Sequence, residues 1–151
     1  MTLIPSKNIT FLSYIETLKG NKMVGIVLVT HCNLGKALIE AAHFISGNLK
    51  NIKAVSITDE SPEALRMAIT KAIQEVDEGR GVLILTDMFG GTPSNLIFSF
   101  LEPGEIEVVT GVNLPMFLSA INRQDDDLKT LATYVKKKAI ASIVRGSEEL
   151  G

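Results

Sequence analysis

The chain has 151 residues, 46% of them apolar and 21% charged, with a formal net charge of -2. That length suits one domain, burying roughly 70% of the surface its unfolded form exposes, and the charge excludes a basic protein built for nucleic acid. A single cysteine, Cys32, excludes a disulfide framework and a cysteine-rich metal centre; no apolar run reaches the roughly 18 residues of a membrane span and no secretory signal is recognisable, so the expected compartment is the cytoplasm.

Residues 1–22 read as an N-terminal extension. Phe11, Leu12, Ile15 and Leu18 recur at helical spacing, and Gly20-Asn21 can stop a short amphipathic helix. The segment either packs on the domain or a partner, or precedes a natural start at Met23. From 23 to 151 the pattern is that of one domain in which strands and helices alternate. Residues 24–30 are almost continuously apolar, as in a strand covered on both faces. A helix is predicted from about Gly35 to Ser46 with Gly47 as its stop, and residues 53–57 form a shorter strand. Ser61-Pro62-Glu63 supplies a capping hydroxyl, a proline in the first turn and an acid near the positive end of the dipole. Leu65, Ala68, Ile69, Ala72, Ile73 and Val76 supply the apolar face of the helix it opens, and Gly79 ends it. Residues 82–86 are the third strand. Thr92-Pro93 repeats the cap-and-proline signal, opening a helix expected to carry Leu96, Ile97, Phe100 and Leu101. Ile106 to Thr110 is the fourth strand. Pro115 starts a short helix to about Asn122, and Asp126 or Asp127 caps the last, which runs to about Ile143. Lys136 to Lys138 reads as a solvated helix face or end.

This alternation predicts an α/β fold: a doubly wound sheet of about four parallel strands with helices on both faces. Residues 139–144 either finish the last helix or add an extra C-terminal edge strand. Two apolar strands then deliver Thr30-His31 and Thr86-Asp87 to the carboxyl edge of the sheet, where ligands bind in such folds. An imidazole exposed there can attack phosphorus or carbonyl centres at neutral pH; the plainer reading is a surface histidine. Asp87 either forms a strand-end turn or holds the ring and offsets its charge. His43, mid-helix, reads as a partly exposed helix residue. Gly90-Gly91-Thr92-Pro93-Ser94-Asn95 joins a loop to a helix start, whose free N–H groups and hydroxyls suit an anion. No Gly-Lys-Ser or Gly-Lys-Thr closes it, so it is not a nucleoside triphosphate loop. After the fourth strand, Asn113 can bond neighbouring strand-end loops. His31, Asp87 and Cys32 are too few for a metal site, and no cofactor is expected.

These motifs are similar to those of a known family. Val-Leu-Val-Thr-His, Thr-Asp-Met-Phe-Gly-Gly-Thr-Pro-Ser-Asn, Val-Thr-Gly-Val-Asn-Leu-Pro-Met, and Arg123 followed by Asp125-Asp126-Asp127 resemble the mannose-family enzyme IIA (EIIA) domain of the bacterial phosphoenolpyruvate-dependent sugar phosphotransferase system. The likeness runs from Met23 to about Ile143. It implies that His31 receives a phosphoryl group from phospho-HPr and passes it, in sugar uptake or its regulation, to a IIB component, here a separate chain. It implies that Asp87 orients His31 and that Thr92 helps bind phosphate beside Gly90, Gly91 and Ser94, with Thr30 and Asn113 in support. It also implies Nε2 as the phosphorylated nitrogen, a homodimer, and contact with a membrane permease that is at most peripheral. Cys32 departs from a pattern that often has glycine there. The alternative is a flavodoxin-like or receiver-like signalling module with Asp87 as acceptor and no enzyme role; receivers, however, usually place paired acids after the first strand.

Overall fold

Four runs rich in Val, Ile and Leu form one all-parallel sheet in a computed structural model that describes residues 10–18, 20 and 22–151. The strands are β1 (Gly25–His31), β2 (Ile52–Ile57), β3 (Val82–Thr86) and β4 (Ile106–Thr110), in the order β2-β1-β3-β4. Helices α1 (Phe11–Leu18), α2 (Leu34–Ser46), α3 (Pro62–Val76), α4 (Gly91–Phe98), α5 (Leu114–Ile121), α6 (Leu128–Ala141) and the short α7 (Gly146–Glu149) make up the rest. Helix α1 lies where helical spacing predicts one; residues 1–9, 19 and 21 of the expected extension lie outside the described residues.

The continuous apolar strands are explained by two covered faces. Ile26, Leu28, Leu83 and Leu85 point into one layer with Ala42 of α2, Phe117 of α5 and Leu131 and Val135 of α6. Val27, Val29, Val82 and Ile84 point into the other, against Ile69 and Val76 of α3 and Ile97 of α4. Each fully buried aliphatic side chain contributes about 1.5–3 kcal/mol, so these two layers dominate the stability of the domain. Gly25 allows the closest approach: a Cβ there would stand 2.6 Å from the Val76 carbonyl oxygen.

Local signals set most helix starts. Ser61 accepts from the Ala64 amide, Asn113 from Met116 and Asp127 from Thr130. Three sequence expectations shift. Helix α4 begins at Gly91, preceded by Gly90, with no side-chain cap, so Thr92 lies inside the first turn instead of capping it. It also ends at Phe98, leaving Phe100 and Leu101 beyond it, because the chain must turn tightly into β4. Helix α3 ends at Val76, with Asp77 at its C-cap, before Gly79. Residues 139–141 complete α6, and no strand follows in the single chain.

The carboxyl-end crevice follows from the winding. Strand β1 leads into α2 on one layer, and the adjacent β3 leads into α4 on the other. The two connections diverge, and the gap between them is the topological switch point at which α/β sheets bind ligands.

Candidate active site

His31 is the last residue of β1, and Asp87 follows the last residue of β3 directly. Parallel pairing of Val29 with Thr86 brings them side by side. The His31 ring Nδ1 stands 3.0 Å from Asp87 Oδ2 and 3.2 Å from Oδ1. The backbone N–H of His31 donates to Oδ2 at 3.0 Å, and that of Met88 donates to Oδ1 at 3.0 Å. Asp87 thus grips both the ring and the main chain of His31. A carboxylate accepts only, so Nδ1 carries the proton that faces it and Nε2 keeps its lone pair.

The His31 side chain is 48% exposed and that of Asp87 13%. Burial pushes the Asp87 carboxyl up, but the His31 amide, the His31 ring and Asp87's own backbone amide together outweigh it. The carboxyl is held below the usual aspartate range.

Thr30 is fully buried, and its hydroxyl accepts from the Gly35 amide at 2.7 Å. That bond ties the end of β1 to the first turn of α2. Any side chain at residue 35 would press on it, since a Cβ there would lie 2.9 Å from Thr30 Oγ1. Cys32 makes the turn between them in the left-handed region, with φ of 49°. Its side chain is exposed, and its amide donates to the Ile57 carbonyl at 3.0 Å.

Gly90 and Gly91 take φ of 121° and 78°. The uncapped start of α4 leaves N–H groups of the first turn without a side-chain acceptor. Thr92 is exposed in that turn. Ser94 is placed differently from Thr92: it is buried, and its hydroxyl accepts from the Gly90 amide at 2.9 Å and lies 2.8 Å from the Gly90 carbonyl. It shapes the loop from inside rather than offering a free hydroxyl. Asn113 caps α5 and donates to Ser142 Oγ at 3.2 Å, joining α5 to the end of α6. His43 is exposed at the far end of α2. Among the described residues no group of three or more His, Cys, Asp or Glu side chains is placed to hold a metal.

The family model described as the PTS system fructose IIA component matches residues 25–136. The chain belongs to this mannose-type EIIA family. This EIIA chain is 32% identical over 131 residues to the fructose-specific EIIA component of Bacillus subtilis (strain 168), covering 85% of the chain and 90% of that relative. It is 32% identical to the sorbose-specific EIIA component of Lacticaseibacillus casei, covering 74% of the chain and 83% of that relative. Its fold matches the mannose/sorbose-specific IIA subunit of Enterococcus faecalis with a TM-score of 0.72 at 23% identity, over 82% of this chain and 94% of that one. The EIIA chain is accordingly a IIA component of the sugar phosphotransferase system, and no helix among its described residues is long and apolar enough to cross a membrane.

Sequence reasoning missed Gln124. This residue is buried opposite the His31 edge, where its side-chain amide donates to the carbonyls of Val24 at 2.9 Å and Lys50 at 3.1 Å. Beside it, Arg80 donates to the Asp125 carbonyl at 2.9 Å, and Arg123 Nε lies 2.6 Å from Asp126 Oδ2. The Arg123 to Asp127 motif is thus a lock at the amino edge of the sheet. A polar residue between an arginine and three acids gives no sequence signal of burial.

Proposed function

We propose that this EIIA chain is a phosphocarrier in which His31 Nε2 accepts a phosphoryl group from phospho-HPr and yields it to a IIB component. The Nδ1–Asp87 contact carries the reading. It fixes the ring in the tautomer whose free lone pair is on Nε2, on the exposed side of the ring. Nε2 attacks phosphorus as the P–N bond to the donor histidine breaks, and that electron pair returns to the donor ring. Asp87 offsets the positive charge that develops on the His31 ring. Gly91 and Thr92 present N–H groups at the start of α4 to the phosphoryl oxygens, a suitable cradle for an anion, while the Gly90 N–H is turned inward to the Ser94 hydroxyl and shapes the loop. Thr30 and Ser94 hold the loops that carry these groups, and Asn113 ties the start of α5 to the end of α6.

A receiver-like role for Asp87 is disfavoured by its surroundings. Both its oxygens already accept from backbone amides and face the imidazole, which leaves little nucleophilic capacity. The chain works in the cytoplasm and as a homodimer. Support for the dimer lies in the tail: Ile140, Ile143 and Val144 are exposed, Ile143 to 80%, beside a groove of about 240 Å³ that reaches Thr110 and Gly111 at the end of edge strand β4.

Incubation with phosphoenolpyruvate, enzyme I and HPr should load one phosphoryl group per chain, labile to acid and stable to alkali. His31→Ala should abolish uptake without loss of fold, and His43→Ala should behave as wild type. Stoichiometric loading of His31→Ala, or an alkali-labile product, overturns the reading.

A further inference from the structure

Helix α1 stands ahead of residues 25–136, the part shared with the family. It has eight residues, and a helix that short is marginal in water unless an apolar face packs on something. Its start is set locally: the Ser13 amide donates to Thr10 Oγ1 at 3.2 Å and the Tyr14 amide to the Thr10 carbonyl at 2.9 Å. Phe11, Tyr14 and Leu18 are spaced to share one side. Yet Phe11, Leu12 and Tyr14 are exposed, Phe11 to 77%. Helix α2 has the matching surplus. Inward, Leu38, Ile39 and Ala42 join the core. Along its outer stripe Leu34, Phe44 and Ile45 are exposed, Phe44 to 91%. A groove of about 510 Å³ runs there, lined also by Ala37 and Ala41.

We propose that α1 is a tethered strap that docks into the α2 groove of its own chain and, when docked, holds back phosphoryl loading of His31. The hold on His31 rests on the phosphocarrier reading above. The hinge of the strap is fixed at the amino edge of the sheet, where the Met23 amide donates to Glu78 Oε2 at 3.1 Å. One side-chain amide, that of Gln124, bonds the carbonyls of both Val24 and Lys50, so the hinge lies beside the loop that leaves α2. Residues 19–22 join Leu18 to this hinge and reach about 14 Å when extended. Helix α2 ends at the same edge, because β2 starts there in parallel register with β1. A strap folded back from the hinge therefore lies parallel to α2, with Phe11 towards His31. The lengths agree: about 12 Å for α1 and about 16 Å from Leu34 to Ile45. Ala37 and Ala41 leave the room that an aromatic ring fills. So short a tether gives an effective concentration of order millimolar, and a contact too weak between separate chains is populated within one. Both faces are bare in the structure, which is the open position. Docked, the strap covers a helix side that begins three residues past His31, and loading draws only on the open fraction.

The test uses the full chain. It has no tryptophan, so Phe44→Trp places a single indole in the groove. Its emission should be blue-shifted and independent of dilution. Adding Phe11→Ser/Leu12→Ser, or Tyr14→Ser alone, should move the emission to the red, whereas Phe11→Leu/Leu12→Ile should not. Emission of a solvent-exposed indole, indifferent to every change in α1, overturns the strap. A blue shift that fades on dilution overturns it as well, by giving the groove to a second copy. In the chain that keeps Phe44, Phe11→Ser/Leu12→Ser should raise kcat/KM for loading from phospho-HPr at least ~3-fold, with the thermal melt of the domain unchanged. An unchanged kcat/KM beside a shifted emission overturns the hold on His31. A wild-type chain that takes no phosphoryl group from phospho-HPr defeats the phosphocarrier reading and that hold with it, while the emission still decides the docking.

Discussion

His31 differs from His43 only in its surroundings, and those surroundings come from Asp87. Replacing Asp87 with asparagine keeps the shape and removes the charge. Phosphoryl transfer to His31 should slow at least ~10-fold, with a ceiling near the ~10⁴-fold effect of the same change in a hydrolase triad. Rapid-quench measurement of loading checks this; a wild-type rate in Asp87→Asn overturns it. Asp87 also couples stability to pH. Its folded carboxyl titrates below the ordinary aspartate value of about 3.9. The unfolded chain therefore binds the proton first as pH falls, and the contribution is full above about pH 4 and lost as pH drops through the lower folded value. The stability gap between wild type and Asp87→Asn in urea titrations should be flat from pH 7 to about 5 and shrink below 4. Cys32 presents the opposite case, a residue held at some cost. A left-handed conformation costs a non-glycine residue about 1–2 kcal/mol, and the extra chain entropy of glycine returns roughly 0.5–1. Cys32→Gly should thus stabilise by about 0.5–1 kcal/mol in the same titrations.

At the scale of elements, the junction of β1 with α2 decides whether the ring stands at the sheet edge in the right place. The junction depends on the Thr30 hydroxyl and the missing side chain at Gly35. Thr30→Val keeps the β-branched shape and leaves the Gly35 amide without its acceptor, a loss of about 1–3 kcal/mol for a buried donor. Gly35→Ala should cost a similar ~1–3 kcal/mol, by pushing the first turn of α2 away from β1. Both should slow loading of His31 beyond what lost stability explains, because they move its main chain; thermal melts alongside loading rates separate the two effects. The start of α4 works on the opposite principle. Glycines take the place of a capping side chain, so the first N–H groups stay open.

Across the whole molecule, the chemistry gathers at the carboxyl edge of the sheet, and the amino edge is held by Gln124. Gln124→Ala leaves the carbonyls of Val24 and Lys50 without a donor from this side chain, and should cost about 1–3 kcal/mol. It should leave the loading rate of the folded protein unchanged, since it acts at the other edge. The proposed homodimer rests on the exposed apolar tail, Ile140, Ile143 and Val144. Light scattering should give a dimer mass, and Ile143→Lys should shift it towards monomer; a wild-type monomer across a wide concentration range refutes the dimer.

The parallel four-stranded sheet, its helices on both faces and the meeting of His31 with Asp87 were legible in the chain itself. Apolar runs ending on Thr-His and Thr-Asp leave few other arrangements once parallel strands must be covered on both faces. For the last helix the sequence left Asp126 and Asp127 as candidates, and the structure selects Asp127; the cap at Ser61 was legible because it rests on a contact three residues apart. The start of α4 was not, because the geometry of two consecutive glycines outweighed the Thr92-Pro93 signal. Nor were the burial of Gln124, the inward turn of Ser94 or the bare outer stripe of α2 legible. Each depends on which surface meets which after the layers close, and residue type alone does not encode that.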